Sequence, residues 1–213
     1  MQKLADIRRE YTMASLDAST VNPDPITQFE NWFQEALKSE VLEPTAMNLA
    51  TINSLGHPTS RVVLLKDIEN RKFVFYTNYQ SQKGQELEKN PACALTFFWP
   101  ELERQVRIEG LASRVTETKS DEYFRSRPRG SQIGAWSSPQ SSMIKDRSIL
   151  EERVAQMKKR FEGTEILPRP KQWGGYEVDP FLLEFWQGRP SRLHDRIQYI
   201  TVEGQWKIHR LAP

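Results

Sequence analysis

One cysteine, three histidines and ten glycines are all that 213 residues hold of the types most used for disulfides, metals and phosphate loops. A lone Cys93 can form no intrachain disulfide, which suits a reducing compartment. Its place inside Ala92-Cys93-Ala94-Leu95-Thr96-Phe97-Phe98 reads as a small buried thiol. His57, His194 and His209 lie far apart without metal-ligand spacing, so no metal site is expected. Neither Gly-x-Gly-x-x-Gly nor a P-loop occurs, which removes the Rossmann and Walker nucleotide sites. There is no Gly-x-Ser-x-Gly elbow, and Cys93 has no cationic neighbour to activate it, so a hydrolytic nucleophile is not indicated. No apolar run approaches the length of about eighteen residues that a spanning helix needs, and Met1-Gln2-Lys3-Leu4-Ala5-Asp6 lacks an apolar signal core. The expectation is a soluble, cytoplasmic chain with no membrane partner.

Charge of one sign is also scarce. Thirty Lys and Arg against 28 Asp and Glu leave +2, which is no nucleic-acid footprint. The distribution is uneven, with residues 1–60 at −4 and the remainder at +6, so the positive excess lies in the body of the chain.

Residues 1–24 mix charge with small polar residues and end at Asn22-Pro23-Asp24-Pro25, which reads as a mobile N-terminal arm ahead of a single domain over 25–213. Asp24 suits an N-cap with Pro25 at the first helical position, and Ile26, Phe29, Phe33, Ala36 and Leu37 recur at helical spacing to about Ser39. Strand-like runs follow over Met47–Asn53, Arg61–Lys66, Phe73–Thr77, Ala92–Trp99 and Gln105–Val115, then Trp173–Val178, Phe181–Trp186, Ile197–Val202 and Trp206–Arg210, the last two joined at Glu203-Gly204. Helices are expected over Ser81–Asn90, Lys119–Arg125 and Asp146–Phe161, the last with Ile149, Leu150, Val154, Met157 and Phe161 as a buried stripe. Many short strands with helices between them indicate an α+β antiparallel barrel.

The densest chemistry is Phe185-Trp186-Gln187-Gly188-Arg189-Pro190-Ser191-Arg192-Leu193-His194-Asp195-Arg196. If the following strand begins early, Arg192, His194 and Arg196 share a face and suit an anion. The bland reading is an arginine cluster paired with Asp195 and Glu184. Further cations, amides and hydroxyls stand near strand ends: Arg61 and Lys66, Tyr76-Thr77, Ser81-Gln82-Lys83, Arg104-Gln105, Arg125 to Arg129 and Gln140-Ser141-Ser142. Each alone is more often a strand-edge charge or a helix cap.

As an ordered set these clusters resemble the FMN-dependent pyridoxine (pyridoxamine) 5′-phosphate oxidase family. The resemblance is carried by Arg8-Arg9-Glu10-Tyr11, Arg61 to Lys66, Phe75-Tyr76-Thr77-Asn78, Glu103-Arg104-Gln105-Val106, Ser126-Arg127-Pro128-Arg129, Ser131-Gln132-Ile133-Gly134-Ala135, Gln140-Ser141-Ser142, Trp173-Gly174-Gly175, Phe185 to Gly188, Arg192 to Arg196 and Arg210-Leu211-Ala212-Pro213. It implies a split β-barrel, α+β with peripheral helices, forming a homodimer with FMN at the interface. It implies oxidation of pyridoxine or pyridoxamine 5′-phosphate to pyridoxal 5′-phosphate, with O2 reoxidising the flavin and hydrogen peroxide released. By the same resemblance FMN would be held by Arg61, Val62, Lys66, Tyr76, Thr77, Gln82, Lys83, Gln105, Gln140, Ser141, Trp186 and Arg196. Substrate would meet Lys66, Tyr123, Arg127, Ser131, Arg192 and His194, with Arg8, Arg9 and Tyr11 closing as a lid. Arg192 and His194 are the candidates for positioning C4′ and handling its proton.

One position departs from the family pattern. Where the family reads Ser-Arg-Lys, this chain has Ser81-Gln82-Lys83, and loss of one charge-assisted phosphate contact is expected to weaken FMN retention by about 1.5–3 kcal/mol if desolvated. The residues alone also admit a split-barrel flavoenzyme with another substrate, or a non-catalytic carrier of FMN or pyridoxal phosphate. A small barrel binding nucleic acid through Arg and Trp surfaces is a further alternative, opposed by the near-neutral charge.

Overall fold

The computed structural model describes Lys3, Leu4 and residues 10–213. Helix α1 (Pro25–Lys38) starts where expected, because Asp24 accepts a hydrogen bond from Thr27 N at 2.8 Å and Pro25 has no N–H to leave unpaired. Its buried Ile26, Phe29, Trp32 and Ala36 form the stripe that seats it on the sheet.

The described residues form one antiparallel sheet of nine strands: β1 (Ala46–Ile52), β2 (Pro58–Leu64), β3 (Asp67–Glu69), β4 (Lys72–Asn78), β5 (Ala92–Trp99), β6 (Arg104–Arg114), β7 (Trp173–Gln187), β8 (Asp195–Val202) and β9 (Gln205–Leu211). The order is β2-β1-β5-β6-β7-β4-β3, with β8 added to β7 and β9 to β8. Glu203 (φ 51°) and Gly204 (φ 75°) close the β8–β9 hairpin, as two left-handed residues in a tight turn should.

Strand β7 decides the architecture. The two runs separated by Asp179-Pro180 are one continuous strand of 15 residues. One of its edges pairs with β6 from Tyr176 to Gln187. The other pairs first with β4, from Trp173 to Val178, and then with β8, from Leu182 to Gln187. The ladder to β6 shifts register between Glu109 and Gly110, beside Pro180, and this bulge accommodates a residue that has no N–H to donate. The sheet therefore forks at the middle of β7, which makes the barrel a split one.

Phe29, Phe73, Phe97, Val106, Ile108, Leu183 and Phe185 are fully buried between α1 and the curled sheet. A second core of Phe124, Ile133, Phe161, Leu167 and Trp173 ties α3 (Glu117–Ser126), α4 (Arg129–Ser137) and α5 (Ser148–Arg160) to the start of β7. Two elements, β3 and α4, go beyond the sequence reading. The α5 stripe differs in depth: Ile149, Leu150, Val154 and Met157 are half-buried, and only Phe161 is buried, because one face of α5 meets α4 while the rest meets solvent. Helix α2 (Gln82–Lys89) is capped by Ser81. No helix among the described residues is long and apolar enough to cross a membrane.

Candidate functional site

The end of β4, the start of α2 and the end of α3 enclose a cavity of about 300 Å³. Tyr76 and Thr77 reach it because their β7 partners are Gly175 and Gly174. A methyl on Gly175 would come within 2.8 Å of Tyr76 Cε1, so the tyrosine ring occupies space that a side chain there would take. Tyr76 stacks on Tyr123 (3.8 Å between centroids, 15°) and on Trp173 (5.6 Å, 12°). Burial, with smaller help from Tyr123, pushes the Tyr76 phenol up to about 12, so it stays protonated.

Cations converge on this cavity from two sides. Lys66 follows β2, and Arg127 stands at the end of α3 with its guanidinium 4.5 Å over Trp173. Burial holds the Arg127 pKa below its ordinary value, opposed by Tyr123. Arg127 Nη1 is buried and finds no hydrogen-bond partner among the described residues. A buried, unpaired donor on a cation favours an incoming anion. On the other side, Lys83 is buried, donates to Thr77 Oγ1 at 3.3 Å, and has its pKa lowered by burial and then by the charge of Arg61. Gln140 Oε1 accepts from Thr77 Oγ1 at 3.3 Å and from Asn78 N at 3.4 Å. Val62 completes the wall.

Arg61 stands one layer back. Its guanidinium donates to Thr51, to Thr59 Oγ1 at 2.8 Å and to Glu86 Oε2 at 3.1 Å. Glu86 is buried, and burial raises its pKa, but hydrogen bonds from Thr51, Thr59, Gln82 and Arg61 outweigh that and bring it to about 2. Gln82 supplies one of these, Nε2 to Glu86 Oε1 at 2.9 Å, and borders a shallow hollow with Asn53 and Lys89 rather than the cavity. Glu86 thus offsets one of the two cations, Arg61 and Lys83, that meet here.

A second group forms at the far end of β7. The Trp186 ring lies 4.6 Å from His194, and Tyr11 sits edge-on to both, at 5.7 Å from Trp186 and 5.8 Å from His194. His194 Nδ1 accepts from Arg189 N at 3.1 Å, which puts the proton of the neutral ring on Nε2. Burial, then the Arg192 charge, lowers the His194 pKa below its ordinary value, so the ring is neutral at pH 7. β8 begins at Asp195, so the early strand start that would align Arg192 and His194 with Arg196 does not occur. Instead Ser191 (φ 57°) and Arg192 (φ 62°) form a left-handed turn ahead of it. Arg196 forms a two-point pair with buried Glu184 (2.8 and 3.0 Å) and donates to Ala212 O at 2.9 Å. Asp195 pairs with Arg210 at 2.8 Å and with Arg189 at 3.6 Å, so both acids of the bland reading have arginine partners. Gln105 faces Trp186 across the β6–β7 ladder.

None of Gln105, Trp186, Arg192, His194 and Arg196 lines the cavity. Ser131, in the first turn of α4, and Ser141 (φ 71°) are exposed and also stand off it. Arg8 and Arg9 lie outside the described residues. Larger hollows also occur among the described residues. One of about 440 Å³ beside Asp121 and Arg169 has that half-buried arginine already bound to Asp121 at 2.6 Å. Another, of about 580 Å³, lies beside Phe33 and Asp67 and shares Lys66 with the cavity. The buried acids to which sequence reasoning gave no site role are Glu86, Glu103 and, beyond its reading as an arginine partner, Glu184.

The family model for pyridoxamine 5′-phosphate oxidase matches residues 33–161, and that for a pyridoxine 5′-phosphate oxidase C-terminal dimerisation region matches 173–213. The chain is 54% identical to the pyridoxine/pyridoxamine 5′-phosphate oxidase of Burkholderia thailandensis, with all of both chains covered. It is 50% identical to that of a Cyanothece species, over 99% of this chain and 98% of the other. Among solved structures, PhzG from Burkholderia lata, in complex with tetrahydrophenazine-1-carboxylic acid, is 31% identical with a TM-score of 0.86 over 92% of this chain and 95% of that one. A pyridoxamine 5′-phosphate oxidase-related FMN-binding protein of Nostoc punctiforme shares the fold, at 15% identity and a TM-score of 0.69, over 87% of this chain and 97% of the other. With the split sheet and the full-length identity both in place, the chain belongs to the pyridoxine/pyridoxamine 5′-phosphate oxidase family.

Proposed function

We propose that the chain oxidises pyridoxine 5′-phosphate or pyridoxamine 5′-phosphate to pyridoxal 5′-phosphate with FMN and O2, releasing hydrogen peroxide. The observation that carries the substrate class is Arg127 Nη1, buried and without a hydrogen-bond partner among the described residues, on a cavity that Lys66 and Tyr123 also line. Two cations and a phenol hydroxyl there recognise a phosphate monoester. The residues present also fit FMN. Arg61 and Lys83 meet at a buried point where an anion relieves their repulsion, and Thr77, Tyr76 and Gln140 offer neutral donors and acceptors beside them. FMN, when bound, supplies the acceptor for a hydride equivalent from C4′ and the route by which the electrons reach O2.

The remaining work falls to the chain. Lys66, Tyr123 and Arg127 anchor the phosphate and so fix the pyridine ring relative to the cavity. Neutral His194 holds its proton at Nε2, where it can hydrogen-bond the oxygen or nitrogen on C4′. Arg192, a guanidinium, positions rather than abstracts. Trp186 and Tyr11 shield that face from water, with the arm acting as a lid.

A homodimer is part of this reading. Residues 173–213 match a dimerisation region, and that range holds Trp186, Arg192, His194 and Arg196, which stand off the cavity of their own chain. Each site would take its cavity from one copy and its Trp186–His194 group from the other, with FMN between them. A cytoplasmic location accords with this chemistry.

The test is the visible spectrum of the FMN-loaded protein under anaerobic conditions, before and after pyridoxine 5′-phosphate. Bleaching that reverses in air, with an aldehyde product, is expected. Bound flavin that stays oxidised would redirect the search to another substrate, such as a carboxylate of the kind bound by the Burkholderia lata neighbour.

A further inference from the structure

Glu103 lies in the connection between β5 and β6, after the turn Pro100–Leu102, and its backbone is left-handed (φ 53°, ψ 40°). That conformation is disfavoured for a residue with a Cβ and persists where surrounding bonds hold it. The residue is 1% exposed. Its carbonyl accepts from Gly188 N at 2.7 Å and from Gln187 Nε2 at 3.3 Å, which ties it to the end of β7 just past Trp186. Its carboxylate turns the other way: Oε2 accepts from Thr12 N at 2.8 Å and from Met13 N at 3.0 Å. These are the two residues that follow Tyr11.

One buried residue therefore joins the Trp186 end of the sheet, through its carbonyl, to the arm segment that carries the Tyr11 ring, through its carboxylate. Gly188 fits the same arrangement, since a methyl on it would come within 2.7 Å of Tyr11 Cβ. Other bonds hold the arm further along: Arg189 Nη1 to Ala14 O at 3.2 Å, and Leu16 N to Asp195 Oδ2 at 3.0 Å. On the other side of Tyr11, Glu10 Oε2 accepts from Ser191 N at 3.1 Å; among the described residues Glu103 is the side chain that grips the arm backbone next to Tyr11, and a carboxylate acceptor strengthens both N–H bonds.

We propose that Glu103 is a positioning residue for the oxidation. Its carboxylate clamps two successive N–H groups of the arm and thereby seats Tyr11 against Trp186 and His194. This rests on the reading above that His194 faces substrate. The carboxylate acts on the arm, and neither Glu103 nor Tyr11 lines the cavity that takes FMN, so loss of the clamp loosens substrate more than cofactor.

The experiment uses the full-length, FMN-loaded protein. Amide exchange at Thr12 and Met13 is followed in the wild type, Glu103→Gly, which also relieves the left-handed backbone, and Glu103→Gln, which keeps an acceptor oxygen. Protection at both amides in the wild type, lost by about tenfold or more in Glu103→Gly and largely kept in Glu103→Gln, is expected. Exchange at the free-peptide rate in the wild type overturns the clamp without any variant. In steady-state assays Glu103→Gly should raise KM for pyridoxine 5′-phosphate about tenfold, with FMN affinity within about twofold of wild type. Tyr11→Ala should do the same, and the double variant should be no worse than either single one. Additive losses, or lost FMN, would mean a structural role and sink the proposal. If the wild type turns over neither vitamer, the functional reading fails on its own, while the exchange data still decide the clamp.

Discussion

Lys83 lines the cavity proposed to take FMN, so its ionisation is coupled there to cofactor binding. Its pKa is lowered by burial and by Arg61, and a phosphate placed between the two raises it again. Binding of FMN therefore takes up a proton once the pH exceeds the lowered pKa of the free protein. Affinity should be greatest below that pKa and fall as the pH rises from it towards the pKa of the complex. Titrating flavin-free protein with FMN across the neutral-to-alkaline range checks this, and Lys83→Met should bind weakly with a much flatter profile. At this scale the cations and hydroxyls of the cavity were legible only as an ordered set, through the resemblance to the family, because each alone reads as a strand-edge charge or a helix cap. The acids that set them were not. Glu86 and Glu103 look like ordinary surface residues until the fold buries them, and only proximity shows that Gln82 serves Glu86.

Among the elements, β7 carries the consequences of the fork. Gly110 passes so close to Asp179 that a methyl there would lie 2.5 Å from its carbonyl oxygen and 2.7 Å from Val178 Cγ1. Gly110→Ala should cost about 2 kcal/mol and lower the Tm by roughly 4–8 °C in thermal unfolding. Gly204→Ala meets open space, so any loss there comes from its positive φ alone. Helix α1 was readable to within a residue, since the Asp24-Pro25 start and the apolar period agree. Helix α4 was not, because Arg129-Gly130-Ser131-Gln132-Ile133-Gly134 has poor helix formers and is held by Ile133 in the second core. The runs on either side of Asp179-Pro180 read as two strands, but they form one, with a bulge in β7 itself where Phe181 has no partner on β6.

At the scale of the whole molecule, the separation of the Trp186–His194 group from the cavity predicts complementation between copies. Lys66→Met should inactivate one group and His194→Ala the other, so each homodimer is inactive. Mixed dimers regain one intact site, and a random equal mixture should recover roughly a quarter of wild-type turnover. No recovery in verified mixed dimers would place both groups within one chain. Cys93, the single cysteine, is buried on β5 with its sulfur 3.8 Å from Gly110 O, and burial pushes its thiol up to about 12. Folded protein thus presents no reactive sulfur to an alkylating label. A cysteine introduced on the exposed part of the arm would be the sole point of attachment for a spin or fluorescent probe, so the arm's distance from the barrel can be followed during turnover without first altering the native sequence elsewhere.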